Sequence, residues 1–387
     1  MTLWVRTAIA ASCLALLASA CGSDGGDTSS DGTKVITVGM MANLTGAGAP
    51  YGVPFKNGLD LALKDSAGDL KDAADVSIKI DSKDTTSVEA NAVTLCNQYA
   101  QKKYPAIISD SLTPIAAAVT PCATQNKMLF VSGSGGEVPN EEGYEFRLTD
   151  VSTVMVTLAK HIVSTGHQKV AVIVDRDNPA LVSTADITEQ ALKDDGVDGF
   201  VAREDVSGTD TDFSSVLTNI RDADPDAILI ITLAEQSGAI VRQIAQFGGF
   251  DGVLLSGSHA WGPQVFEVAG DAAVGSIYGA LWSPGEASSA AFVEEYKKEY
   301  DSDPVAFSAL GYETGWLLAA SIRAVLADGG EVTGEALRDA MADAVDSDWL
   351  KDHGPVQGLH FEDGGAARYP GTVVEFGAGG EVQIVTD

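Results

Sequence analysis

Five histidines, four cysteines and 55 acidic side chains are the groups with which this chain of 387 residues could do chemistry. The histidines His161, His167, His259, His353 and His360 show no spacing that would pair them on a metal. No GxSxG elbow, GxxxxGK phosphate loop or HExxH helix occurs. Gly46-Ala-Gly48 opens like a dinucleotide loop, but Tyr51 takes the third glycine's place. Neither a metal nor a cofactor is expected, and no catalytic constellation is visible. The pattern favours binding over turnover, so the chain reads as no enzyme.

The groups that remain are suited to holding a small polar molecule. Ser111 and Thr113 precede a helix whose first turn carries Pro114, so one of them serves as its cap and either can meet a ligand. Ser134, Gly135 and Gly136 follow a strand, and small residues there let an anionic group approach backbone N–H groups. Asp175 ends the apolar run KVAVIVD and Glu235 follows AILIITLA, places where a cation could be received. His259 and Trp261 follow VLLSGS, Tyr51 lies in an early loop, and Phe307 starts a helix; these rings could cover a ligand's apolar parts.

The elements that must position these residues alternate. Strands at 35–39, 76–81, 106–109 and 128–131 interleave with helices at 54–66, 88–102 and 114–125. A second series has strands at 169–174, 227–232, 253–256 and 277–281 and helices at 153–164, 183–193, 213–223, 237–247 and 263–269. Three helical patterns follow, at 290–300, 307–326 and 334–344, then a hairpin of 372–376 and 382–385. Such alternation means parallel sheets covered on both faces. The expected class is α/β: two doubly wound parallel-sheet lobes joined by a three-stranded hinge. Lobe I takes 34–150 and 283–358, and lobe II takes 151–282 and 359–387. A cleft between them would collect the carboxyl ends of the strands.

The formal charge is −31, from 24 basic and 55 acidic residues, which disfavours nucleic acid and anionic membrane surfaces as partners. Residues 1–20 combine Arg6, an apolar run and Ala-Ser-Ala, the pattern of a secretion signal. Cys21 follows directly, like the lipidated cysteine of a bacterial lipobox, although Ala18 stands where a larger aliphatic is usual. Cleavage without lipidation is the alternative. Residues 21–33 carry almost no apolar side chain and read as a tether. In an exported chain Cys96 and Cys122, on helices beside one strand, are expected to form a disulfide, with two separate buried thiols as the alternative.

The opening VITVGMMANLTGAGAPYGVPFKNGLDLAL, with FSSVLTNIRDADPDAILI, SGAIVRQIAQFGG and VAGDAAVGSIYGA in that order, resembles the type I periplasmic binding proteins of the leucine/isoleucine/valine-binding kind. The resemblance covers about residues 34–387. It implies a small-molecule ligand between closing lobes, an ABC transporter permease as partner and an extracytoplasmic location at the membrane. A ligand-sensing receptor subunit, or an enzyme on the same scaffold, is the alternative. It also implies that Tyr51, Thr113 with Ser111, Ser134, Gly135, Gly136 and Phe307 face the ligand. Gly136 stands where the family has a threonine, and Leu181 and Leu233 where it has aromatics. Ser258 stands where the family places the acid that pairs with the substrate ammonium. An ammonium buried without a carboxylate would cost several kcal/mol. The resemblance therefore implies a carboxylate or amide ligand, or a replacement acid such as Asp175 or Glu235.

Overall fold

A computed structural model of the chain describes residues 32–110, 112–136 and 138–385. The signal, Cys21, most of the tether and Ser111 lie outside the described residues. The first sheet contains β1 (Lys34–Ala42), β2 (Val76–Asp84), β3 (Ala106–Ser109), β4 (Leu129–Ser132) and β5 (Glu145–Arg147), in the order β2-β1-β3-β4-β5 and all parallel. Helices α1 (Ala49–Asp65), α2 (Ala67–Ala74), α3 (Glu89–Gln101) and α4 (Thr113–Gln125) make its crossovers. Every residue of β3 and β4 is buried, as an inner parallel strand requires. A disulfide, Cys96–Cys122, joins α3 to α4 with the Cα atoms 6.5 Å apart.

The second sheet is built from β6 (Val170–Asp175), β7 (Ala202–Val206), β8 (Ala227–Ile231), β9 (Leu254–Gly257) and β10 (Ile277–Ala280), all parallel. The helices of this lobe are α5 (Val151–Ser164), α6 (Pro179–Asp194), α7 (Ser214–Asp222), α8 (Ala234–Phe247) and α9 (Pro263–Ala269). Its apolar runs VAVIVD and AILII are wholly buried.

The chain then returns to the first lobe through α10 (Ala290–Tyr300), α11 (Ala306–Ala327), α12 (Gly334–Ala344) and α13 (Asp348–His353). Helix α11 lies against α1 at backbone contact distance. A Cβ on Gly58 would collide with the Ser308 carbonyl, and one on Gly311 with the Phe55 carbonyl. A two-strand ribbon, β11 (His360–Phe361) with β12 (Ala367–Arg368), packs beside β5, with Phe361 edge-on to Phe146 at 4.9 Å. Last come β13 (Thr372–Phe376) and β14 (Val382–Ile384), which add antiparallel to β10 and complete the order β14-β13-β10-β9-β8-β6-β7.

Three segments thus connect the lobes, and their hydrogen bonds tie them together. Asp150, fully buried, accepts from Thr153 N at 3.0 Å to cap α5 and from Tyr369 N at 3.2 Å in the third crossing. The Tyr369 hydroxyl donates to the Leu148 carbonyl at 2.9 Å. In the second crossing Trp282 Nε1 donates to Ser289 Oγ at 2.7 Å. No helix among the described residues is long and apolar enough to cross a membrane.

Candidate functional site: the cleft between the lobes

Tyr51 sits in the first turn of α1 and reaches across to lobe II. Its hydroxyl accepts from Ala234 N at 3.0 Å and donates to the Ala260 carbonyl at 3.3 Å. Its ring meets Phe307 edge-on at 5.1 Å. Burial pushes its phenol up to about 12, so it stays neutral over the physiological range.

On the polar side, Thr113 is the first residue of α4 rather than its cap; Leu112 holds the cap position. The Thr113 hydroxyl is turned to the glycine loop, where it accepts from Gly136 N at 3.0 Å. Arg147 Nη1 donates to the Gly136 carbonyl at 2.7 Å. A Cβ on Gly136 would press on Thr113 and stand 3.0 Å from Ala180 Cβ of lobe II, and one on Gly135 would stand 3.3 Å from His259 Nε2. Glycine here allows the lobes to touch. Ser134 Oγ lies 3.2 Å from Ser132 Oγ, which donates to buried Glu145 at 2.8 Å; this chain runs into lobe I and away from the cleft.

In lobe II, Ser258 is fully buried and its Oγ accepts from Ala260 N at 3.3 Å, which shapes the turn after β9. His259 Nδ1 is buried without a hydrogen-bond partner, and burial pulls the imidazole down to about 4, so it is neutral at pH 7. Asp175 is buried and accepts from Asp177 N at 3.0 Å; burial raises its pKa. Glu235 is exposed in the first turn of α8.

Beside these contacts lies an interlobe cavity of about 750 Å³, within the usual size range for a small-molecule site. Of the residues singled out from sequence, Tyr51, His259, Trp261 and Phe307 line it, whereas Thr113, Ser134, Gly135, Gly136, Asp175, Glu235 and Ser258 do not. Trp261, Tyr278, Trp282 and Tyr296 complete an aromatic wall. Trp261 was visible as a ring following β9. The other three carried no signal beyond strand or helix core, because docking of the lobes alone brings them together. Trp261 Nε1, like His259 Nδ1, has no hydrogen-bond partner in the protein. The three carboxylates on the lining, Glu267, Asp303 and Glu381, are exposed, and Asp303 pairs with Lys297 at 2.5 Å. Among the described residues no group of His, Cys, Asp and Glu could hold a metal.

A cavity walled by rings from both lobes at a three-segment hinge suits capture by closure. The model of the periplasmic binding protein family matches residues 35–379. A Leu/Ile/Val-binding protein homolog 1 of Brucella suis is 23% identical over 90% of this chain and 93% of its own. Among solved structures, a branched-chain amino acid transporter substrate-binding protein from Streptococcus pneumoniae, in complex with isoleucine, superposes with a TM-score of 0.77 at 21% identity. It covers 92% of this chain and 100% of its own. A solute-binding protein of an ABC transporter from R. palustris, in complex with benzoate, gives 0.75 at 20% identity over 91% and 95%. With the family model spanning most of its length, and with this two-lobe α/β architecture, the chain belongs to the periplasmic binding protein family, whose members bind small molecules outside the cytoplasm.

Proposed function

We propose that this protein is the solute-binding lipoprotein of an ABC importer, and that its ligand is a small carboxylate or amide with an apolar, ring-like body. The observation that carries the ligand class is the composition of the interlobe cavity. Six aromatic side chains, Tyr51, Trp261, Tyr278, Trp282, Tyr296 and Phe307, line it, and no buried acid does. An α-ammonium lodged among the rings would find no buried counter-charge, since Glu267, Asp303 and Glu381 on the lining are exposed, and desolvating it unpaired would cost several kcal/mol. Ser258, at the position where leucine-binding relatives are expected to place their acid, is a neutral turn residue. The Trp261 N–H suits an oxygen acceptor, and the neutral His259 ring nitrogen suits either an oxygen acceptor or an amide N–H according to its tautomer. Neighbours with the same fold hold both kinds of ligand, benzoate in one and isoleucine in another, so the fold admits this class and the cavity lining is what favours it.

The test is a thermal-shift screen of aryl carboxylates, aryl amides, leucine, isoleucine and valine, since a ligand that binds only the folded state raises its stability by mass action. Aryl compounds are expected to raise the melting temperature and the amino acids to leave it unchanged; the reverse pattern refutes the ligand class. The anchor is tested separately. Cys21→Ser is expected to move the protein from the membrane fraction to the medium, and retention in the membrane refutes lipidation.

A further inference from the structure

Helix α8 begins without a cap of its own. Its N-cap residue, Leu233, has extended backbone angles (φ −65°, ψ 155°) and no side-chain oxygen to receive the first amides. The opening N–H groups of a helix need partners from outside it. The Ala234 N–H, first in α8, finds one in the other lobe: the Tyr51 hydroxyl, 183 positions away in sequence, at 3.0 Å. The same hydroxyl donates to the Ala260 carbonyl in the turn after β9, at 3.3 Å. One phenol thus satisfies two backbone groups of lobe II while its ring is held at 5.1 Å against Phe307 of lobe I. The ring itself is packed into the lobe II core cluster and only 6% exposed.

We propose that Tyr51 is an interlobe strut: its hydroxyl caps helix α8 across the cleft and so stabilises the closed arrangement of the lobes. The inference rests on the reading that the lobes close around a ligand. It assigns Tyr51 as a positioning residue whose hydroxyl is committed to protein backbone rather than to the ligand. Its consequence for recognition is that the first amide of α8 is spent on the phenol and is not open to the ligand's polar group.

Hydrogen exchange of the Ala234 amide reads the strut directly, because exchange requires the bond to open. Tyr51→Phe keeps the ring and deletes the hydroxyl. It is expected to speed exchange of the Ala234 amide at least about tenfold (~1.4 kcal/mol) and to enlarge the radius of gyration in small-angle scattering. Amides of β6 and β8 should keep their protection, which controls for the fold. Ala234→Pro removes the donor at the first helical position, where proline is tolerated, and Leu233 already has the extended backbone that a residue before proline requires. This variant should open the lobes as Tyr51→Phe does, and the double variant should scatter like Ala234→Pro alone. Unchanged Ala234 exchange in Tyr51→Phe, or scattering identical to wild type, overturns the strut. No ligand is needed for these readouts. Failure of the ligand class therefore appears only in the binding screen, and failure of the strut only here.

Discussion

Glu313 allows a sharp test of how this fold tolerates a buried acid. It lies in α11, fully buried, with Oε2 accepting from Val356 N at 3.1 Å and Oε1 without a partner. Gly354 packs so closely that a Cβ there would stand 2.8 Å from one oxygen and 2.9 Å from the other. Burial pushes the carboxyl from its ordinary 4.5 up to about 8, and the Val356 N–H only partly offsets this. A carboxyl whose folded pKa is raised keeps full stability below its unfolded pKa and loses it as pH rises through the folded one. Here the loss runs from about pH 4.5 to about pH 8. At 1.36 kcal/mol per pKa unit the penalty is roughly 3 kcal/mol at pH 7 and exceeds ~4 kcal/mol by pH 9. Glu313→Gln retains an acceptor for Val356 N–H and cannot ionise. Urea unfolding of both proteins from pH 5 to pH 9 should show wild type losing roughly 4 kcal/mol relative to the variant. A difference constant to within about 1 kcal/mol across that range would refute the assignment of a protonated, buried Glu313.

Three further outcomes follow from the packing. His259, neutral and buried in the closed cleft at about 4, regains an ordinary pKa near 6.5 when the lobes open, so closure weakens as pH falls from 6.5 towards 4. Calorimetry with the ligand identified by the screen should show affinity about tenfold lower at pH 5.5 than at pH 7.5 for this reason, and equal affinities would remove His259 from the closed interface. Paired replacement Cys96→Ala and Cys122→Ala should lower unfolding free energy by roughly 3 kcal/mol through loss of a cross-link spanning 26 positions; two free thiols in the unreduced, denatured wild type would contradict the bond itself. Gly311→Ala should destabilise by about 1–3 kcal/mol or more, because its methyl would meet the Phe55 carbonyl of α1, and a melting temperature within a degree of wild type would refute backbone contact between α1 and α11.

Where hydrophobic runs were long, the sequence was readable: VAVIVD and AILII announced buried parallel strands, and the order of elements implied two lobes. Two edge strands escaped. β5 is the three residues EFR, and β7 reads AREDV with charged side chains alternating outward, so neither carries an apolar run. In the cleft, Tyr51, His259, Trp261 and Phe307 were legible because aromatic rings near strand or helix ends are conspicuous. The rest of the wall was not. Tyr278 ends a strand, Trp282 lies in a crossing and Tyr296 in a late helix, and only the return of α10 and α11 to the first lobe places them around one cavity. Thr113 and Ser134 have the right type for ligand contact, and in this structure their hydroxyls meet Gly136 N and Ser132 Oγ within lobe I.

The central claim, a solute-binding protein for a carboxylate or amide with an apolar ring and no ammonium, is met most directly by calorimetry at pH 7.5 with benzoate and phenylacetate beside leucine, isoleucine and valine. Sub-micromolar binding, about −8 kcal/mol or better, is expected for at least one aryl carboxylate, with no measurable heat from the three amino acids. Sub-micromolar binding of leucine, isoleucine or valine would contradict it.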